Sequence, residues 1–184
     1  MTYGEYRRAK PRLNVLTHWA GNEPQSLKYS AKPKLNENIY SGQVIVLDDD
    51  GFWVKATSSN GVGRIPYFAY SDALWVGGKL STDTDVQSSG LLLGLSCLEN
   101  FELQTAYFDP APSTPWVHGD PLVLGSTAGS LAKGASALAA VEVLGFVSRT
   151  GMIDVVKTNS EALPDNAGKV LMLNLITAWR PKTA

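Results

Sequence analysis

Apolar residues along this chain come in short runs, many with a period of two, separated by glycine, proline and small polar residues. The clearest run is SGQVIVL, which leads through DDDG into FWVKAT. Two β-branched and aromatic segments around a tip of Asp and Gly, residues that tolerate a tight reversal, predict a hairpin. A second pair follows where LLLGLS turns at LEN into FELQTAYF, in which Phe101, Leu103, Thr105 and Tyr107 alternate with Glu102, Gln104, Ala106 and Phe108. That alternation is the signature of a half-buried strand. More strands are predicted at PLVL, at AVEVLGFV, which the turn SRTG joins to MIDVVK, and at GKVLMLNLIT, where Leu171, Leu173 and Leu175 share one face. Residues 57–90 are broken by Gly61, Gly63, Pro66, Gly77, Gly78 and the run STDTDVQSSG, and read as a long ordered loop holding short strands. DPAPSTP has three prolines in seven residues, cannot hold a ladder, and suggests a sub-division near residues 110–116. SLAKGASALAA has helical composition, but Gly134 costs about 1 kcal/mol relative to Ala in a helix, which leaves a loop or a single turn. The expected fold is mainly β, an antiparallel barrel or sandwich of many short strands.

A weak internal echo runs through this pattern. SGQVIVLDDDGFWVKA and HGDPLVLGSTAGSLAKG align with one insertion in the turn, pairing Gly42 with Gly119, Val46 with Val123, Leu47 with Leu124, Gly51 with Gly129 and Lys55 with Lys133. Each copy is followed by a strand with a central glycine, Gly94 and Gly145. Duplication is one explanation, and the common use of Gly and Val in hairpins is the other.

Charge changes the picture at one end only. The net charge is -1, yet residues 1–35 hold Arg7, Arg8, Lys10, Arg12, Lys28, Lys32 and Lys34 against Glu5 and Glu23, a local +5. With Pro11, Pro24 and Pro33 in the same stretch, this part reads as an extended basic N-terminal arm carrying one short strand at Leu13 to Trp19, ahead of a β-rich body at residues 36–184. The arm is suited to clamping a protein neighbour, to disorder, or to tracking a nucleic-acid backbone, in that order. The 44% hydrophobic fraction of 184 residues is enough for an ordinary core. No run is long enough for an apolar membrane helix and the N-terminus lacks the apolar stretch of a secretory signal, so a soluble, unexported chain is expected.

Candidate chemistry is sparse. Cys97 is alone and cannot pair within the chain, and two histidines offer little for a metal centre, so neither a metal nor a cofactor is expected. Asp48, Asp49 and Asp50 invite a calcium reading but lack the loop spacing such sites use, and a solvated hairpin tip is the plainer one. Asp83 and Asp85 are read as turn residues. His118 and Asp120 could be imagined as parts of a hydrolase, without a GxSxG elbow to hold the nucleophile. GVG at 61–63 is no phosphate loop. The tryptophans Trp19, Trp53, Trp75, Trp116 and Trp179 fit either buried anchors and subunit interfaces or a sugar-stacking platform.

The order of elements over residues 41–157, and above all the step Gly119-Asp120-Pro121-Leu122 followed by Val143 and Gly145, resembles the head decoration, or cement, proteins of tailed bacteriophages. The chain departs from the smallest of them in length and in its proline-rich insert at 110–115. The resemblance implies a β-tulip-like body and a non-enzymatic protein on the outer surface of the virion capsid, made in the host cytoplasm. It implies a homotrimer whose partner is the major capsid protein, with no membrane and no direct nucleic-acid contact. Arg7, Arg8, Lys10, Arg12, Leu13, Val15 and Trp19 would then form the capsid-binding arm, and Trp53, Trp75 and Trp116 are the candidates for the oligomer interface. The alternative is a carbohydrate-binding or tail-accessory module of a virion.

Overall fold

The structure, a computed structural model, describes residues 13–18, 28–76, 79–82, 90–98, 101–108, 116–134, 142–156 and 169–181. Among them are thirteen strands and no helix. They are β1 (Leu13–His18), β2 (Lys28–Ala31), β3 (Val44–Leu47), β4 (Trp53–Lys55), β5 (Tyr67–Ala69), β6 (Ala73–Val76) and β7 (Lys79–Thr82), then β8 (Leu92–Ser96), β9 (Phe101–Thr105), β10 (Pro121–Leu124), β11 (Leu131–Lys133), β12 (Val143–Val156) and β13 (Lys169–Arg180). Two antiparallel sheets, of six and five strands, pack as a sandwich with no closed barrel, and β6 and β7 form a separate ribbon.

Both sheets are built from the same module. Strands β2, β3, β4, β5 and β8 lie side by side as β2-β8-β5-β3-β4, and β9 to β13 lie as β9-β13-β12-β10-β11. Counted along the chain, each reads first, fifth, fourth, second, third. Register agrees as well. Ile45 faces Lys55 and Leu47 faces Trp53 in one hairpin, where Leu122 faces Lys133 and Leu124 faces Leu131 in the other. So do the turns that open the second strand. Gly42 and Gly119 have φ of 89° and 86°, in the left-handed region that favours glycine, and their N–H groups donate to the carbonyls of Ala69 and Val147, each at 2.8 Å. The Tyr40 N–H donates to Gln43 Oε1 at 2.9 Å, as the Val117 N–H donates to Asp120 Oδ2 at 2.7 Å. At the hairpin tips Gly51 and Gly129 share φ values of 80° and 78°. The sequence echo is therefore a duplication of fold.

One part of the echo fails. Ala69 pairs with Gly94 and Val147 with Leu175, so the counterpart of Gly94 is Leu175. Tyr67 pairs with Ser96 and Gly145 with Thr177, so the counterpart of Gly145 is Tyr67. The two glycines sit in different strands because each makes room for a different neighbour.

The modules stack in the same sense. Val44, Val46, Phe68 and Leu95 of the first module point at the second and meet Leu103, Leu122, Leu131, Val147, Leu173 and Leu175. The counterparts of the last set in module one, among them Ile45, Trp53, Ala69 and Leu92, point the other way into a second apolar cluster, completed by Ile39, Ala73 of β6 and Leu80 of β7. The front of module two thus lies on the back of module one. A polar clamp closes the seam. Glu142 accepts from the Gly63 N–H at 2.9 Å and from Trp179 Nε1 at 2.6 Å, and the Trp179 N–H donates to the Cys97 carbonyl at 2.9 Å.

Several sequence expectations change. SRTG is no reversal: β12 runs through it, and the register jumps between Val147 and Met152 as an irregularity inside one long strand paired with β13. Part of the Ala-rich segment, Leu131–Lys133, is β11, while residues 135–140 lie outside the described residues. The module boundary falls between β8 and β9, ahead of the proline-rich segment, which lies between two strands of module two. The arm's strand is present as β1, but it pairs with β9, and residues 28–31 add a second strand that pairs with β8. These two segments belong to the sheets of the body, because main-chain pairing there satisfies backbone groups that an isolated arm would leave to water.

Candidate partner-binding surface

Beyond β2 the chain stays extended and crosses to the other edge of its sheet. The Trp53 N–H donates to the Lys32 carbonyl and the Lys34 N–H to the Trp53 carbonyl, each at 2.9 Å. The strip turns at Asn36, which has a positive φ of 63°. Its carbonyl at Lys34 accepts from Trp75 Nε1 at 3.0 Å, which fixes the indole of β6 beside the strip. Together these elements border an open groove of about 320 Å³, lined by Pro33, Leu35, Phe52, Trp75 and Leu80, with Lys32, Lys34 and Asp50 also on its lining. Leu35 is 68% exposed and Phe52 39%, an uncommon cost for large apolar side chains so close together. Tyr29, 49% exposed, lies on the same sheet and packs edge-on against Trp53 at 5.8 Å.

The acidic tip beside this groove is a turn cap. Asp48 Oδ1 accepts from the N–H groups of Asp50 at 3.1 Å and Phe52 at 2.9 Å, and Oδ2 takes the Lys34 ammonium at 2.9 Å. Asp49 takes the Arg64 guanidinium at 2.6 Å. Burial pushes the Asp48 carboxyl up, but the Lys34 hydrogen bond and charge and the two backbone donors outweigh it and hold it below the usual carboxylate range. A carboxyl depressed on folding contributes stability above its ordinary pKa and loses it as pH falls through the depressed value. Asp48→Asn is therefore expected to flatten the fall of the urea midpoint from about pH 5 downward. An acid limb unchanged by the substitution would show that the cap does not carry it.

Other expected residues resolve differently. Trp53 has no exposure and donates from Nε1 to the Leu92 carbonyl at 2.8 Å, so it is a core anchor and not an interface residue. Trp116, 6% exposed, packs edge-on against Phe108 at 6.3 Å and is likewise core. Both are enclosed because their positions face a module core. Trp75 alone of the three stays half-exposed at a groove. Leu13 and Val15 are strand positions opposite Thr105 and Leu103. Arg7, Arg8, Lys10, Arg12, Trp19, Asp83 and Asp85 lie outside the described residues.

The hydrolase idea loses its acid. Asp120 accepts from the Val117 N–H and binds the Lys133 ammonium at 2.6 Å, and its module-one counterpart is Gln43, which closes the same turn without a charge. His118 is exposed on that turn. Cys97 is fully buried, and burial pushes its thiol far up, away from the thiolate a nucleophile needs. Sequence reasoning missed Tyr29, Leu35 and Phe52 as surface residues. The signal available was KPKL, apolar positions between lysines beside a proline, which a core strand would not carry. Among the described residues no helix is long and apolar enough to cross a membrane. Comparison with protein-family models, with curated proteins and with solved structures finds no match to this chain.

Proposed function

We propose that this chain is a decoration protein of a tailed-phage head, which binds the outer surface of the capsid and bridges neighbouring major capsid subunits as a homotrimer. The observation that carries the reading is the duplicated module. The Gly119-Asp120-Pro121-Leu122 step on which the resemblance rests has a counterpart in Gly42-Gln43-Val44-Ile45, with the same positive-φ glycine opening the second strand. The glycine turn that opens that step therefore recurs in each half of the molecule, while Gly145, the later part of the resemblance, has Tyr67 as its counterpart.

Such a protein works by mass action. Binding to the mature shell and not to its precursor stabilises the mature form by the linked binding free energy, repeated at many identical positions. Exposed Tyr29 and half-exposed Trp75 are residues of the kind that dominate interface energetics, and exposed Leu35 and Phe52 line the groove beside Trp75. The test is co-sedimentation of the purified chain with tailed-phage heads, expanded and unexpanded, with the mass of the free protein from light scattering. Retention on expanded heads and a trimeric mass are expected. The arm's contribution is read from a chain lacking residues 1–12, because cutting to residue 35 would remove β1 and β2. No retention on any head would overturn the reading.

One observation favours a second reading. Trp75 is held rigidly beside Phe52 in an open groove with a lysine and a carboxylate at hand, an arrangement suited to stacking a sugar ring. Glycan binding lost in Trp75→Ala, without binding to heads, would select it.

A further inference from the structure

The two modules differ at one edge, and the difference marks a site. In module two the first strand, β9, is flanked on its outer side by β1, paired antiparallel from Leu13 opposite Thr105 to His18 opposite Phe101. In module one the first strand, β2, is the edge of its sheet, and among the described residues no strand pairs with its outer side. The edges are equivalent. β2 pairs with β8 and β9 with β13 in the same register, which sets Tyr29 against Leu103, Ser30 against Gln104 and Ala31 against Thr105.

The surroundings of the two edges differ. Leu103 is buried in the seam between the modules, Thr105 has no exposure and Gln104 has 8%, whereas on the β2 edge Tyr29 is 49% exposed and Ser30 is exposed, with Ala31 buried at 8%. The chain thus has two equivalent edges and one described strand, β1, on one of them. An open edge is a row of unpaired N–H and C=O groups that templates another strand.

We propose that the outer edge of β2 is a β-augmentation site for an extended segment of a partner polypeptide. The segment runs antiparallel to β2, as β1 does on β9, and places apolar residues at alternate positions, as Leu13 and Val15 stand in β1 ahead of its register shift. Main-chain hydrogen bonds supply affinity, and specificity comes from alternate side chains. One apolar side chain of the segment covers the exposed ring of Tyr29, which Trp53 and Tyr67 hold at 5.8 Å and 6.3 Å. Exposed Lys32, just past the end of the edge, favours an acidic residue at the segment's N-terminal end. A second copy of this chain is a poorer occupant, because β1 moved to a neighbour's β2 would open one edge for each it closes. The proposal goes beyond the virion reading and does not depend on it.

The edge itself suggests the probe. A synthetic peptide of residues 12–19, which contains β1, carrying Arg12→Glu so that its N-terminal end suits Lys32, is added in trans to the full chain, and backbone amide hydrogen exchange is followed with the peptide at up to about 1 mM. Saturable slowing is expected at residues 28–31, with exchange at residues 101–105 unchanged. The same peptide with N-methyl groups on alternate residues is expected to give no slowing. Tyr29→Ala is expected to weaken the effect about tenfold while leaving the unbound exchange pattern of β8 in place. Absence of slowing at 28–31, equal slowing by the N-methylated peptide, or slowing confined to 101–105 would each overturn the proposal. So would protein that dimerises by arm exchange in the absence of peptide.

Discussion

Gly94→Leu is expected to destabilise the protein by about 3 kcal/mol, and Trp53→Leu in the same chain to recover a large part of that loss. A Cβ at Gly94 would stand 3.0 Å from Trp53 Cζ2 and 3.0 Å from Tyr67 Cβ, tighter than side chains pack. Leucine adds further atoms, and the Trp53 ring has no room to retreat, since it is fully buried and tied to Leu92. Trp53→Leu alone is expected to cost about 3 kcal/mol through the cavity it leaves and the carbonyl it orphans. Module two shows why the pair should compensate. There the same two positions hold Leu131 and Leu175, and Gly145 stands where Tyr67 would be. The modules fill equivalent positions with different residues: Trp53, Tyr67 and Gly94 in the first, and Leu131, Gly145 and Leu175 in the second. Urea unfolding of the four proteins gives the coupling energy, expected at about 1–3 kcal/mol in favour of the double variant. Additive losses would mean that the equivalence of the two sites is not one of packing.

Gly145→Ala is expected to be nearly as costly, about 3 kcal/mol, which lowers the thermal midpoint by about 6–12 °C for a chain of this size. A Cβ there would collide with the Ile176 carbonyl oxygen and lie 3.1 Å from Thr177 Cα, both on the partner strand. Backbone cannot yield as a flexible side chain can. β12 and β13 form the most extended pairing among the described residues, and the register already shifts between Val143 and Gly145. A variant that melts with the parent would show that β13 can slide away from this point.

Much of the fold could be read before the structure was known. The SGQVIVL-DDDG-FWVKAT hairpin was legible because β-branched alternation and turn residues coincide, so local preference and tertiary fold agree. The echo was legible through Gly42, Gly51, Gly119 and Gly129, since positive φ leaves few residue choices and both copies must meet it. Core positions carried no such trace. Trp53 and Leu131 are equivalent and share nothing in sequence, because each packs against different neighbours, Tyr67 and Gly94 in one module and Gly145 and Leu175 in the other. β2, with the sequence KYSA, has no apolar alternation to announce it, and its strand state comes from pairing with β8. The surface was hardest to read. Composition shows several tryptophans, but which of them faces a groove depends on the strip at 32–34 crossing to β4, a contact set by topology.

Same-sense stacking has a consequence for growth. A unit that lays its front on the back of an identical unit can go on adding copies without limit unless both ends are stopped, as terminal repeats do in solenoids. At one end the stopper is an insertion, the β6–β7 ribbon, whose Ala73 and Leu80 seal the front of the first module. At the other it is a change of chemistry. Where the first module presents Phe68 and Leu95 to its neighbour, the second places Arg180 over Phe146 at 5.3 Å, and beside them Gln104 donates to Asn174 at 2.8 Å and Ser148 to Glu102 at 3.1 Å. Gln104, Ser148 and Asn174 there are already buried and partnered, so a further copy would have to displace contacts that this layer already makes. The back of the second module thus lacks the apolar face that the first module presents, and same-sense addition of another copy is disfavoured there.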